Sequence, residues 1–288
     1  MHDVHRRGAG HRRDPGARVS GGAMTGETLQ TAAGSFRVRV EGPAGAPALV
    51  LSNSLGTTLE MWDAQAERFA RTHRVVRYDT RGHGGSVVSP GPYTFDQLGG
   101  DVVALLDALG IARASFCGIS MGGLTGLWLG VNAPQRLERL VVANSAAKIG
   151  TADGWAARAA LVREKGAAGM AELAASAPGR WFTDAFAAAQ PEVVRRAQGW
   201  VAGIAPEGYA ACCEALAQAD LRGAIGAIGV PTLLVAGQAD PVTTVADARA
   251  MQAGIAGAEL AELPASHLSN LEAPQAFDAA LAEFLQRD

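Results

Sequence analysis

The pentapeptide Gly118-Ile119-Ser120-Met121-Gly122 constrains this chain more than any other stretch. An apolar segment, Ser115-Phe116-Cys117, runs into it, and a helical run beginning Gly123-Leu124 leaves it. A serine with glycine two places to either side, between a strand and a helix, predicts a turn too tight for side chains at 118 and 122. The serine then occupies a strained backbone region with its hydroxyl clear of both elements. The pattern G-x-S-x-G recurs by chance in many chains. In a strand-to-helix context near the middle of this one, it points to a nucleophilic serine.

Such a turn needs a sheet to sit on, and the rest of the sequence supplies one. Apolar runs at 36–40, 48–52, 74–78, 114–117, 137–143, 232–236 and 259–263 read as strands. Several are continuous Val/Leu/Ile runs, as expected of strands covered on both faces. Helical patterns lie between them at 94–109, 121–131, 245–254 and 274–285. This alternation predicts an α/β protein with a mostly parallel, doubly wound sheet. The first two runs have no helix between them, so an antiparallel edge hairpin is expected there. From 151 to 223 the alternation stops: the stretch is Ala-rich, lacks a clear strand and is punctuated by Pro178, Pro191 and Pro206. Lying between two sheet strands, it is expected to form a helical lid over the carboxyl edge of the sheet, where ligands of open α/β sheets bind. The core is then expected in two parts, 24–150 and 224–288.

Residues 1–23 stand apart, with five arginines, three histidines and two aspartates. They carry a net charge of +3 against −3 for the whole chain, which leaves −6 for 24–288. Paired arginines at 6–7 and 12–13 resemble the start of an export signal, but no apolar stretch follows them. A disordered N-terminal tail is expected here, with Met24 a candidate for the natural start. Hydrophobic residues at 48% and charged residues at 18% fit a folded globular chain. No apolar run approaches the ~20 residues needed to span a bilayer, so no membrane partner is expected. No basic stripe interleaved with aromatics suggests nucleic acid. Cys117, Cys212 and Cys213 make neither a disulfide framework nor spaced metal-ligand pairs. Neither metal nor cofactor is expected, and a reducing, cytoplasmic setting fits. Nothing in the pattern speaks to oligomeric state.

A serine hydroxyl is a poor nucleophile without a base, and in this strand-turn-helix arrangement the partners follow in the order acid, then histidine. Asp240 lies in Gly237-Gln238-Ala239-Asp240-Pro241, directly after a strand; an ordinary turn aspartate before proline would look the same. His267, in Pro264-Ala265-Ser266-His267, follows the last strand and precedes the last helix. Of the other histidines, His2, His5 and His11 lie in the tail, and His73 beside Arg74 reads as a surface residue. Ser120 is therefore assigned as nucleophile, His267 as general base and Asp240 as the group orienting it. The developing oxyanion needs donors. One is the backbone N–H of Met121, and the second is that of Leu55 in Ser52-Asn53-Ser54-Leu55-Gly56, a cluster that also reads as a plain turn. Cys117 lies inside the strand as a small buried residue and is rejected as nucleophile. The segment Tyr78-Asp79-Thr80-Arg81-Gly82-His83-Gly84-Gly85-Ser86 matches neither glycine-rich phosphate pattern and reads as a structural turn.

Ser52-Asn53-Ser54-Leu55-Gly56-Thr57-Thr58 followed by Met61-Trp62-Asp63, then Arg77-Tyr78-Asp79-Thr80-Arg81-Gly82-His83-Gly84, resembles the 3-oxoadipate enol-lactonases, which have the α/β-hydrolase fold. Gly91-Pro92-Tyr93-Thr94 and Arg180-Trp181-Phe182-Thr183 are similar to that family too, and the resemblance runs from about residue 28 to the C-terminus. The serine turn and its partners belong to a much larger superfamily; the Asn-Ser-Leu-Gly-Thr segment with Met-Trp-Asp is more particular. Many relatives carry a His-Gly pair where this chain has Ser52-Asn53-Ser54, a departure that leaves a backbone donor in place. The resemblance implies hydrolysis of 3-oxoadipate enol-lactone to 3-oxoadipate, in the β-ketoadipate pathway of aromatic catabolism, through an acyl-enzyme. That small-molecule lactone bears a carboxylate, whereas 24–288 is net negative, so a local cation is required. Arg158, Arg163 and Arg180 are candidates, with Trp155 or Trp181 as an apolar wall; each could equally be a solvated or packing residue of the lid. Two other readings stand beside this one: a carboxylesterase or C–C bond hydrolase on the same scaffold, and a non-catalytic ligand-binding protein. The intact Ser120, Asp240 and His267 argue against the latter.

Overall fold

The structure, a computed structural model, describes Met1 and residues 27–287. The expected tail therefore lies, apart from Met1, outside the described residues. The chain begins with β1 (Glu27–Thr31), β2 (Gly34–Glu41) and β3 (Ala48–Ser52). A 3₁₀ turn (Leu59–Trp62) leads into α1 (Asp63–Phe69), then β4 (Arg74–Tyr78), α2 (Phe95–Ala108), β5 (Ala114–Ile119), α3 (Met121–Asn132) and β6 (Leu137–Ala143). Next come α4 (Ala152–Lys165), α5 (Ala167–Ser176), α6 (Pro178–Trp181), α7 (Asp184–Ala189), α8 (Pro191–Ala202) and α9 (Pro206–Gln218). The fold closes with β7 (Thr232–Gly237), α10 (Val245–Gly254), β8 (Glu259–Leu263), α11 (Ser269–Glu272) and α12 (Pro274–Leu285).

The eight strands form one sheet in the order β1-β2-β4-β3-β5-β6-β7-β8. β2 is antiparallel to both β1 and β4, and every other pair is parallel. The α/β class and the mostly parallel sheet are as the alternation predicts. The antiparallel edge exists, but the expected pairing of the first two apolar runs does not form. Ala-Leu-Val-Leu-Ser of β3 is buried at every position, so it needs cover on both faces and sits inside the sheet between β4 and β5. The hairpin is β1–β2 instead, with Thr31 opposite Gly34 at the turn. β1 reads Glu-Thr-Leu-Gln-Thr and is largely exposed, so an edge strand of this kind leaves no apolar run to detect.

Helices cover both faces. α1 and α12 lie together, with the rings of Trp62 and Phe277 6.0 Å apart beside them. α2 packs on α3, and α3 on β5 and β6. No helix among the described residues is long and apolar enough to cross a membrane.

The winding fixes the site. From β3 the chain steps back to β4 and then returns past β3 to β5, so the topological switch falls between β3 and β5. Ligands of open sheets bind in the crevice at that point, beyond the carboxyl ends of the strands. Register brings those ends together: Ser52 pairs with Gly118, Ile119 with Ala143, Ala143 with Val235 and Gly237 with Leu263. Leu55, Ser120, Asn144, Asp240 and His267 all follow these ends along one edge.

The α4–α9 helices occupy 152–218, within the stretch where the alternation stops. Pro178, Pro191 and Pro206 each begin a helix, in the first-turn position where a missing N–H costs nothing. Thr151 caps α4 by accepting from Gly154 N–H.

Candidate active site

Ser120 directly follows β5 and caps α3 with φ 57° and ψ −117°, far from any helical or strand conformation. Four contacts hold it there. Its N–H donates to Ala143 O at 3.0 Å, and its carbonyl accepts Leu124 N–H at 2.9 Å and Ser145 Oγ at 2.8 Å. Gly122 N–H donates to Asn53 O at 3.0 Å, which fastens the turn to the end of β3. The two glycines are a steric necessity: a Cβ at 118 would lie 2.2 Å from Gly122 O, and one at 122 would lie 2.4 Å from Ser52 O.

Asp240 and His267 come from the loops after β7 and β8. His267 Nδ1 lies 2.8 Å from Asp240 Oδ2, with both side chains buried. Asp240 Oδ2 also accepts Asn144 Nδ2 at 3.0 Å and Thr243 Oγ1 at 2.8 Å; Oδ1 accepts the N–H groups of Val242 (2.8 Å) and Thr243 (3.1 Å). Burial pushes this carboxyl's pKa up, but the bonds from His267, Asn144 and Thr243 outweigh burial and hold it below the usual range. A carboxylate this well satisfied stays ionised and fixes the Nδ1–H tautomer of His267, leaving Nε2 as the basic nitrogen.

Ser120 and His267 line one cavity of about 390 Å³, together with Ser54, Leu55, Trp155, Arg158, Arg180, Trp181 and Tyr209. Met121 N–H, at the N-terminus of α3, and Leu55 N–H donate no hydrogen bond among the described residues. Both are therefore available to an oxyanion, Met121 with the added field of its helix.

Among the described residues the cavity lining holds no carboxylate, and Arg158 and Arg180 are its permanently charged side chains. Neither has a carboxylate within 4.0 Å among the described residues. Burial, then the nearby Arg158 guanidinium, hold the pKa of Arg180 below its ordinary value. An anion between the two would relieve that repulsion. Trp155 gives its Nε1–H to Ile149 O at 2.6 Å and stacks under Arg158, whose guanidinium carbon is 4.9 Å from the ring centroid. Trp181 is buried on the wall beside Gly56. Arg163 is different: it pairs with Glu207 and Glu214 on the surface of the insertion and does not line the cavity. As a candidate for the substrate cation it is set aside.

The structure also brings in residues that the sequence reading did not single out. Asn144 is buried with φ 42°, and its Nδ2 spans Asp240 Oδ2 and Ser266 O, both at 3.0 Å. It thereby ties the aspartate to the histidine loop. The available signal was an Asn-Ser pair at a strand end, since Asn tolerates positive φ better than most residues. Tyr209 reaches the cavity from α9, and only the three-dimensional packing of α9 on α4 brings it there. His73 is half-buried on a turn and lies outside the cavity lining.

A family model described as the alpha/beta hydrolase fold matches residues 47–274. The chain is 52% identical to 3-oxoadipate enol-lactonase 2 of Acinetobacter baylyi over 246 residues, covering 85% of this chain and 91% of that protein. It is 47% identical to 3-oxoadipate enol-lactonase 1 of the same organism, over 88% of this chain and 93% of that one. The crystal structure of the enol-lactonase from Burkholderia xenovorans superposes with a TM-score of 0.88 at 42% identity, covering 91% of this chain and all of the other. The fold, the match across the sheet and insertion, and these relatives converge: this chain belongs to the 3-oxoadipate enol-lactonase family of the α/β hydrolases.

Proposed function

We propose that this protein is a carboxylic-ester hydrolase that opens 3-oxoadipate enol-lactone to 3-oxoadipate, with Ser120, His267 and Asp240 as its catalytic machinery. The observation that carries this reading is a cavity that Ser120 and the Asp240-bound His267 line together with two arginines, neither paired with a carboxylate among the described residues. An uncharged ester would not need that wall; a lactone bearing a carboxylate would. Arg158 and Arg180 hold the carboxylate, while Trp155 and Trp181 flank the carbon chain.

In the reaction, His267 Nε2 takes the Ser120 proton as Oγ attacks the lactone carbonyl. The N–H groups of Leu55 and Met121 hold the oxyanion. Collapse breaks the ring C–O bond, expelling an enolate that leaves readily because its charge is delocalised. Imidazolium returns a proton to it, giving the ketone, and the ring-opened acid remains as an ester on Ser120. Water gives one proton to His267 Nε2 and its oxygen attacks the ester. Collapse breaks the ester C–O bond as the imidazolium returns that proton to Ser120 Oγ, and the released carboxylic acid gives its own proton to solvent to leave as the second carboxylate. Asp240 stabilises the imidazolium throughout. The six-helix insertion acts as the lid that keeps bulk water from this sequence. The three cysteines are free and buried, which supports a reducing cytoplasm as the setting.

The test is kcat/KM on freshly generated enol-lactone against a neutral aryl acetate. A preference of about 10³-fold or more for the lactone supports the reading, and equal or reversed values reject it in favour of a general esterase.

A further inference from the structure

The segment Tyr78–Ser86 is a turn, as its sequence suggests, but its contacts give it a second role. It braces the Asn53–Leu59 stretch at three points. Asn53 Nδ2 donates to Tyr78 O at 2.8 Å, Leu59 N–H donates to Asp79 Oδ1 at 2.8 Å, and Gly56 N–H donates to His83 Nε2 at 2.9 Å. The Gly56 contact falls one residue after Leu55, whose N–H is an oxyanion donor in the mechanism above.

Ser54–Thr57 is a β-turn closed by Thr57 N–H on Ser54 O at 3.2 Å and reinforced by Thr57 Oγ1 on the same oxygen at 2.8 Å. Gly56 has φ +82°, the signature of the third residue of a type II turn. Types I and II differ by a flip of the central peptide, here Leu55–Gly56. The Gly56 N–H is the donor of that peptide, so the group that accepts it selects the turn type and pins the chain one residue beyond Leu55. No water is needed for that purpose: the acceptor is a ring nitrogen, and Gly56 and His83 are both buried.

We infer that His83 is a positioning residue for the oxyanion site, its Nε2 lone pair locking the turn that presents Leu55 N–H. The inference rests on the serine-hydrolase reading. Because Nε2 accepts, the ring proton sits on Nδ1, 3.3 Å from Arg81 O. Burial pushes the His83 pKa down to about 4, so the lone pair persists at neutral pH. The ring has a firm support of its own. His83 N–H donates to Thr80 O at 2.9 Å, Ser86 N–H to His83 O at 3.0 Å, and Ser86 Oγ to Asp79 O at 2.6 Å. Arg81 pairs with Asp101 and donates to Ala33 O at 2.7 Å, anchoring the brace to α2 and the β1–β2 turn.

Two variants separate the acceptor from the shape. His83→Gln offers a carbonyl oxygen to Gly56 N–H, and His83→Leu offers none. His83→Leu is expected to lower kcat about 100-fold with KM nearly unchanged, because Leu55 N–H is misplaced in the transition state alone. Its affinity for an alkyl boronic acid, which forms a tetrahedral adduct on Ser120, should fall in parallel, whereas affinity for the 3-oxoadipate product should not. His83→Gln is expected to stay within about tenfold of wild type in both readouts. Equal losses in the two variants, or a His83→Leu enzyme with wild-type kcat and boronate affinity, would overturn the inference. Should His83→Leu not fold, nitrogen NMR of ¹⁵N-histidine-labelled wild-type protein decides: His83 is expected as the Nδ1–H tautomer, and the Nε2–H tautomer refutes it. If wild-type protein is inactive and binds no boronate, the hydrolase reading itself has failed.

Discussion

Acidification should cost this fold stability through one buried imidazole. His83 is buried with its Nε2 committed to the Gly56 N–H, and its pKa is pushed down to about 4 from 6.5 by burial. In the unfolded chain it titrates near ~6.5. Between the two values the unfolded state binds a proton that the folded state refuses. The contribution is therefore present above about pH 6.5 and is lost as pH falls towards about 4. A gap of about 2.5 pH units corresponds to about 3 kcal/mol, of which about 2 kcal/mol has gone by about pH 4.5. Urea unfolding followed by tryptophan fluorescence at about pH 7 and about pH 4.5, for wild type and His83→Gln, isolates the effect. Asp79, Asp101 and Asp278, raised by burial, and Glu60, lowered to about 2 against burial by its bonds to Arg37 and Thr58, are common to both proteins and cancel in the difference. Wild type should lose about 2 kcal/mol more than the variant over this interval. Equal losses would refute the reasoning, since they would mean that His83 takes up a proton as easily folded as unfolded.

Asp240→Asn keeps the shape but disrupts the support of the imidazolium and its tautomer, so kcat should fall about 10⁴-fold with little change in melting temperature; steady-state kinetics and calorimetry check both. Arg158→Gln and Arg180→Gln should each raise KM for the lactone about tenfold or more while leaving a neutral aryl ester unaffected. Gly122→Ala forces a Cβ to 2.4 Å from Ser52 O, so thermal unfolding should reveal a loss of about 2–4 kcal/mol or failure to accumulate folded protein.

What the sequence discloses and what it withholds follow from the range of each interaction. β3, β5 and β7 are buried at every position and announce themselves as apolar runs. The serine turn is legible because its constraint is local: two glycines forbidden a Cβ by backbone four residues away or on the adjoining strand. Asp240 and His267 are legible through strand order, since each follows the end of a strand whose place the winding dictates. β1 is not, because an exposed edge strand need not be apolar. The pairing of β2 with β4 rather than β3 is a long-range choice, made by the need to bury both faces of β3. The same limit applies to the arginines. Composition offers Arg158, Arg163 and Arg180 on equal terms, and only packing turns Arg163 outward to Glu207 and Glu214 while the other two face the cavity. Asn144 and His83 act through contacts 96 and 27 residues distant, beyond any local pattern.

The proposed function depends on a single covalent event, the attack of the residue 120 hydroxyl on the lactone carbonyl. Turnover of enol-lactone by wild-type protein and by Ser120→Ala, matched for circular dichroism and melting temperature, measures it directly. Loss of activity by about 10⁵-fold or more in Ser120→Ala is the predicted result. A correctly folded Ser120→Ala protein that opens the lactone at a rate close to wild type would contradict it.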